Sequence, residues 1–129
     1  MIREGSITLP IDEAKIPSKD LPIFYNSAMR ENRDISLLVL DTLDPKSHAS
    51  FPLAGSGIRG LRALKETRLE SVELNDVRPG FATQLVRFAK QNQIDPSRIE
   101  LSQQDACVAL HTGTHRAFID LDPYGSINP

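Results

Sequence analysis

Apolar and polar positions along the 129-residue chain follow two rhythms, one of period two and one close to 3.6. Arg3 to Ile11 (Arg-Glu-Gly-Ser-Ile-Thr-Leu-Pro-Ile) alternates as a short strand does, and Pro10 suits a sheet edge. Pro10, Pro17 and Pro22 then punctuate an irregular arm. From Ala28 to Leu43 the spacing becomes helical, with Ile35, Leu38, Val39 and Leu43 predicted as the apolar face. Asp44-Pro45 ends that helix, because the residue before a proline is driven out of the α region.

Beyond residue 47 the two rhythms alternate regularly. Phe51–Ala54 predicts a strand and Ile58–Glu66 its helix. Glu70–Asp76 predicts a second strand, with Val72 and Leu74 alternating. Pro79–Asn92 is an amphipathic helix with Phe81, Leu85, Phe88 and Ala89 on one face, and Pro79 sits where a helix start tolerates it. Asp95-Pro96-Ser97 turns into a third strand, Arg98–Ser102, followed by a short helix from Ala106 to His111. Arg116–Asp122 is the fourth strand, and Pro123-Tyr124-Gly125-Ser126 turns away from it. Strands alternating with helices predict a parallel α/β sheet, which binds ligands outside the carboxyl ends of its strands.

Those ends carry the candidate chemistry. Gly55, Gly57 and Gly60 form a G-x-G-x-x-G spacing at a strand-to-helix turn, where backbone can approach a nucleotide-type ligand. Asp76 lies about 20 residues on, the distance at which an acid meets a ribose hydroxyl. A dinucleotide and S-adenosylmethionine both carry adenosine, so the turn suits either. Asp76 and Asp105 each also read as helix N-caps. Asp122-Pro123-Tyr124-Gly125 is more discriminating. A carboxylate followed by proline and an aromatic is a layout that methylates exocyclic amines. The lone pair of such an amine is delocalised into its ring, and an acceptor for its N–H bonds localises it and can take the proton. Tyr124 offers a ring on which an extracted base stacks.

Composition narrows the class. A hydrophobic content of 40% with 25% charged residues is that of a globular domain, and no apolar run reaches the ~20 residues of a membrane span. No signal-peptide core follows Met1, and the single Cys107, expected as a small buried residue, excludes an internal disulfide, so the expected compartment is the cytoplasm. The net charge of -2 is not the basic footprint of a self-sufficient nucleic-acid binder. Cys107, His111 and His115 are spaced by four, but Gly113 interrupts their helix and no fourth ligand accompanies them, so no metal is expected. Ser126 lacks the G-x-S-x-G context of a hydrolase nucleophile.

Four stretches together resemble one family. Phe24-Tyr-Asn-Ser-Ala-Met-Arg-Glu-Asn-Arg-Asp34, Gly57-Ile-Arg-Gly-Leu-Arg62, Asn75-Asp76 and Asp120-Leu-Asp-Pro-Tyr-Gly-Ser126 are similar, in this order, to the tRNA guanine N2-dimethyltransferase family, Trm1. The resemblance implies a Rossmann-like class I methyltransferase sheet, S-adenosylmethionine as cofactor, and the guanosine at position 26 of tRNA as substrate, methylated twice on N2. It implies that Arg33, Arg59, Gly55 and Gly57 contact the cofactor, that Asp76 binds its ribose, and that Asp105 and Ala106 address its adenine. Asp122 would be the catalytic group, Tyr124 would shape the base pocket, and Phe24 would pack against cofactor or base.

The chain departs from the family pattern in three places. Asn26-Ser27 stands where Asn-Pro is usual, Phe51-Pro52 where an acid is common, and Gly125-Ser126-Ile127-Asn128-Pro129 where Gly-Ser-Pro follows the strand. The expected organisation is an arm and helix over residues 1–47 contributing to the cofactor site, then the N-terminal half of the methyltransferase domain over 48–129. With about four strands the sheet would be incomplete, its fourth strand an exposed edge, and a C-terminal tRNA-binding domain absent. The expected function is that of a fragment of the tRNA methyltransferase, partnered by tRNA through the full-length protein and by neither membrane nor metal. The alternatives are an NAD-binding Rossmann domain and an inactive remnant or interaction module.

Overall fold

A computed structural model describes residues 1–12, 22–113 and 115–124. Pro17, within the expected arm, and Gly125 to Pro129, including Ser126, lie outside the described residues.

The chain opens not as one strand but as a hairpin, β1 (Ile2–Glu4) pairing antiparallel with β2 (Ile7–Leu9). Gly5, at φ +55°, makes the reversal that the alternation conceals. Ile2, Ile7 and Leu9 are buried, and so is Glu4. Asn92 holds the backbone of β2, accepting from Thr8 N–H and donating to Thr8 C=O at 2.8 Å each, so the hairpin is fastened to the body of the protein.

A single 3-10 turn over Ser27–Met29 leads into α1 (Arg30–Leu40). Its face is the reverse of the expected one: Arg33, Leu37 and Leu40 point inward, while Ile35, Leu38 and Val39 are exposed. Positions 33, 37 and 40 also share a helical stripe. The pattern misleads because Arg33 is buried as the partner of Glu4.

The remaining elements are β3 (Ala49–Phe51), α2 (Ile58–Glu66), β4 (Val72–Asn75), α3 (Phe81–Gln91), β5 (Ile99–Ser102), α4 (Ala106–Thr112) and β6 (Phe118–Ile119). β3 sits earlier than the pattern predicts because Pro52 has no N–H for the ladder. Ala54 N–H resumes contact by donating to Asn75 C=O at 2.8 Å. α3 buries Phe81, Leu85, Phe88 and Ala89 as expected. Cys107, expected inside, is exposed on α4.

The four strands β3 to β6 form a parallel sheet in the order β5-β4-β3-β6. From β3 the chain steps outward to β4 and β5, then returns to the other side of β3 for β6. The direction of winding therefore reverses between β3 and β6, the place where an open parallel sheet leaves a crevice beyond its carboxyl ends. Asn75, buried at the end of β4, ties these ends together. Its Nδ2 donates to the carbonyls of Pro52 and Gln104, and its Oδ1 accepts from Ser102 Oγ and Gln104 N–H.

Candidate active site

A cavity of about 240 Å³ opens at that switch point. Leu53 to Ser56 and Ile58 to Gly60 line it from the β3–α2 turn, Asp120 and Asp122 to Tyr124 from beyond β6, and Phe24 to Asn26, Met29 and Arg33 from the arm and α1. Its volume falls below the ~300–1,000 Å³ of a site that encloses a whole small molecule, so it suits one part of an extended ligand.

The turn that forms one wall is fixed by residues outside it. Gly57 adopts φ +77° at the start of α2, and a Cβ there would overlap Leu85 of α3. At Gly60 a Cβ would collide with Leu74 of β4, so this glycine lets α2 lie close on the sheet. Asp76 Oδ2 accepts from Gly55 N–H at 2.8 Å, and its Oδ1 accepts from Arg78 N–H at 3.0 Å. The Arg78 guanidinium donates to the carbonyls of Gly55 and Pro22, which ties the turn to the arm.

From the first turn of α2 a bridge of charge runs to α1 and to the segment after β6. Arg59, almost wholly buried, donates through Nη1 to Asn32 Oδ1 at 2.8 Å and Ser36 Oγ at 2.7 Å, both on α1. Its Nη2 reaches Asp122 Oδ2 at 3.1 Å, and Nη1 lies 3.3 Å from Asp120 Oδ2. Burial pushes the Asp120 carboxyl above its ordinary range; Arg59 opposes this, and the neighbouring charge of Asp122 reinforces it. Asp122 is the more accessible of the two, with 41% of its side chain exposed against 13%. Tyr124 meets Phe24 edge to face, with ring centroids 5.5 Å apart.

A second polar cluster lies behind Arg33. Glu4 accepts from Arg33 Nε at 2.8 Å and Nη2 at 2.6 Å, from Arg62 Nη1 at 2.7 Å and from the Tyr25 hydroxyl at 2.8 Å. Burial alone would raise the Glu4 carboxyl, but the bonds from Arg33, Tyr25 and Arg62 outweigh it and hold its pKa at about 2. Arg33 Nη2 also donates to Asn26 C=O at 2.9 Å.

The cavity thus brings together Phe24, Arg33, Gly55, Arg59, Asp122 and Tyr124 of the expected site residues. Gly57 faces Leu85 instead. Asp76 secures the turn from outside the lining. Asp105 is the N-cap of α4, accepting from Cys107 and Val108 N–H, with Ala106 the first residue of that helix. Both acids stand at carboxyl ends of the same sheet, beyond the cavity. Among the described residues no His, Cys, Asp and Glu cluster is arranged to hold a metal ion. Sequence reasoning missed Glu4, Asp120 and Asn75. Asp120 was within reach, two residues before Asp122 in the expected strand, a spacing that puts both on one face.

The family model for N2,N2-dimethylguanosine tRNA methyltransferase matches residues 5–129. The chain belongs to this family. It is 38% identical to the tRNA (guanine(26)-N(2))-dimethyltransferase of Sulfurisphaera tokodaii and 34% identical to that of Methanococcus maripaludis, matching over 99% and 100% of its own length. It spans only 35% and 36% of theirs. Among solved structures it is similar to Trm1 from Pyrococcus horikoshii in complex with S-adenosyl-L-methionine, with a TM-score of 0.77 and 30% identity over 97% of this chain and 36% of that one. A class I methyltransferase fold follows, and the sheet described above is the part of it this chain carries. No described helix is long and apolar enough to cross a membrane.

Proposed function

We propose that the chain carries the cofactor-binding and catalytic portion of a tRNA guanine N2-methyltransferase that uses S-adenosylmethionine and acts in the cytoplasm. One observation carries the reading: Arg59 holds the accessible Asp122 carboxylate at the mouth of a switch-point cavity, beside Tyr124 and Phe24. The chain residues fit the cofactor. Gly55 lines the cavity at φ +57°, a backbone conformation strained for residues with side chains, and a Cβ on it would stand in contact with the Phe24 carbonyl at 3.4 Å. Arg33 contributes a cation to the lining, and its Nη1 is engaged by no hydrogen bond among the described residues.

Arg33 and Arg59 would hold the amino-acid end of S-adenosylmethionine, with Gly55 and Gly57 shaping the turn beside it. Asp76 would bind the ribose hydroxyls, and Asp105 with Ala106 would address the adenine along the sheet edge. When bound, the cofactor supplies a methyl group already activated on a sulfonium. The remaining difficulty is the guanine amine, whose lone pair belongs partly to the ring. Asp122 accepts an N–H of that amine, localises the lone pair and receives the proton as it becomes acidic. Phe24 and Tyr124 present apolar faces to the extracted base. The rings touch edge to face here, so admitting a base between them requires at least one to turn. The family relatives are named for guanine 26, and the relative from Aquifex aeolicus for guanines 26 and 27. We assign the same amine chemistry here, on residues 1–47 as the arm of the cofactor site and 48–129 as the methyltransferase core.

Transfer of labelled methyl to tRNA tests the assignment. Asp122→Ala should lower the rate by about 100-fold or more, the typical contribution of a positioned acid–base group, while S-adenosylhomocysteine still binds. Equal loss of cofactor binding would remove Asp122 from the catalytic role.

A further inference from the structure

The hairpin has a consequence for the cavity that its place in the fold does not require. Glu4 lies in β1, outside the cavity lining, yet it grips Arg33, which lines the cavity. The grip is two-pronged: Oε1 takes Nε and Oε2 takes Nη2, an arrangement that fixes the plane of a guanidinium as well as its position. Asn26 C=O takes a further Nη2 hydrogen, and the Tyr25 ring stacks 5.1 Å from the guanidinium carbon. Nη1 is left over. Glu4 is itself held from a third side by Arg62, whose Nη1 lies 2.7 Å from Oε1 and which also pairs with Asp34 and Glu66. With side chains 1% and 5% exposed, Glu4 and Arg33 form a pair that water does not loosen.

We propose that Glu4 is a positioning residue for ligand binding: it orients Arg33 so that Nη1 meets the carboxylate of the cofactor's amino-acid end. The inference rests on the functional reading above. It makes the N-terminal hairpin a working part of the site, acting through Arg33 without touching the ligand.

Calorimetric titration of the protein with S-adenosylhomocysteine tests it. Glu4→Gln keeps the shape and one acceptor but removes the charge and the second acceptor; its affinity should fall about tenfold, the scale of one charge-assisted hydrogen bond. Glu73→Gln serves as the comparison. Glu73 is likewise buried and paired twice, with Arg116 at 2.7 and 2.8 Å, but neither residue lines the cavity, so its affinity should stay at the wild-type value. In an Arg33→Met background, adding Glu4→Gln should weaken binding no further, because its route of action is gone. If Glu4→Gln does not fold, Glu4→Asp retains the charge while its shorter arm no longer spans Nε and Nη2, and it should also weaken binding. Wild-type affinity in whichever Glu4 variant folds, or an equal loss with and without Arg33, would overturn the inference. Failure of the wild-type protein to bind S-adenosylhomocysteine would instead overturn the functional reading, and the inference with it.

Discussion

Glu4 is a buried carboxylate and Asp120 a partly buried one, and their surroundings push them in opposite directions. The Glu4 carboxyl titrates at about 2 in the folded protein against an ordinary 4.5. Its contribution is therefore fully present above pH 4.5 and lost as pH falls toward 2, amounting to about 3 kcal/mol. Thermal unfolding followed across that window should show Tm falling with acid, and Glu4→Gln should flatten the fall while lowering Tm at neutral pH. Asp120, raised above its ordinary 3.8 chiefly by burial, binds its proton more tightly folded than unfolded. Its contribution is thus present at low pH and lost as pH rises through the raised value. Asp120→Asn should accordingly leave Tm at pH 7 unchanged or higher, a sign opposite to Glu4→Gln; a clear drop would show that its pairing with Arg59 outweighs its burial. The difference in legibility between these residues is one of distance along the chain. Asp122 and Tyr124 are readable because carboxylate, proline and aromatic are consecutive. Glu4 is not, since the arginines that give it meaning stand 29 and 58 residues away.

Elements were legible where their burial is apolar. The inward face of α3 follows directly from periodicity, as Phe81, Leu85, Phe88 and Ala89 cover it. α1 reversed its expected face because an arginine occupies the inward stripe, and hydropathy cannot see a buried ion pair. The hairpin was hidden for another reason: two strands joined at Gly5 keep nearly the same alternation as one. The G-x-G-x-x-G spacing predicts the turn but does not reveal that its three glycines do different things. Gly55 borders the cavity, Gly57 makes room for Leu85, and Gly60 makes room for Leu74. Gly57→Ala should lower the stability measured in urea by about 2–4 kcal/mol, combining a positive φ with overlap in the core. Gly80→Ala shares the positive φ, at +79°, but meets only open space, so about 1 kcal/mol is expected. Similar losses at the two positions would show that packing against Leu85 does not constrain the turn.

For the whole molecule, strand order does what no motif could. The alternation predicts a parallel sheet, while only the order β5-β4-β3-β6 locates the reversal of winding between β3 and β6. That reversal explains why residues after two strands distant in sequence, the glycine turn with Asp120 and Asp122 to Tyr124, face one cavity, and why Asp76 and Asp105 line up beside it. A chain that spans about a third of its relatives' length thus brings the residues proposed to hold the cofactor to one edge of the sheet. The central claim is that this edge takes S-adenosylmethionine. Parallel calorimetric titrations with S-adenosylhomocysteine and NAD test it most directly. Saturable binding of S-adenosylhomocysteine, retained by Asp122→Ala and absent for NAD, is the predicted result. Preferential binding of NAD would contradict the account.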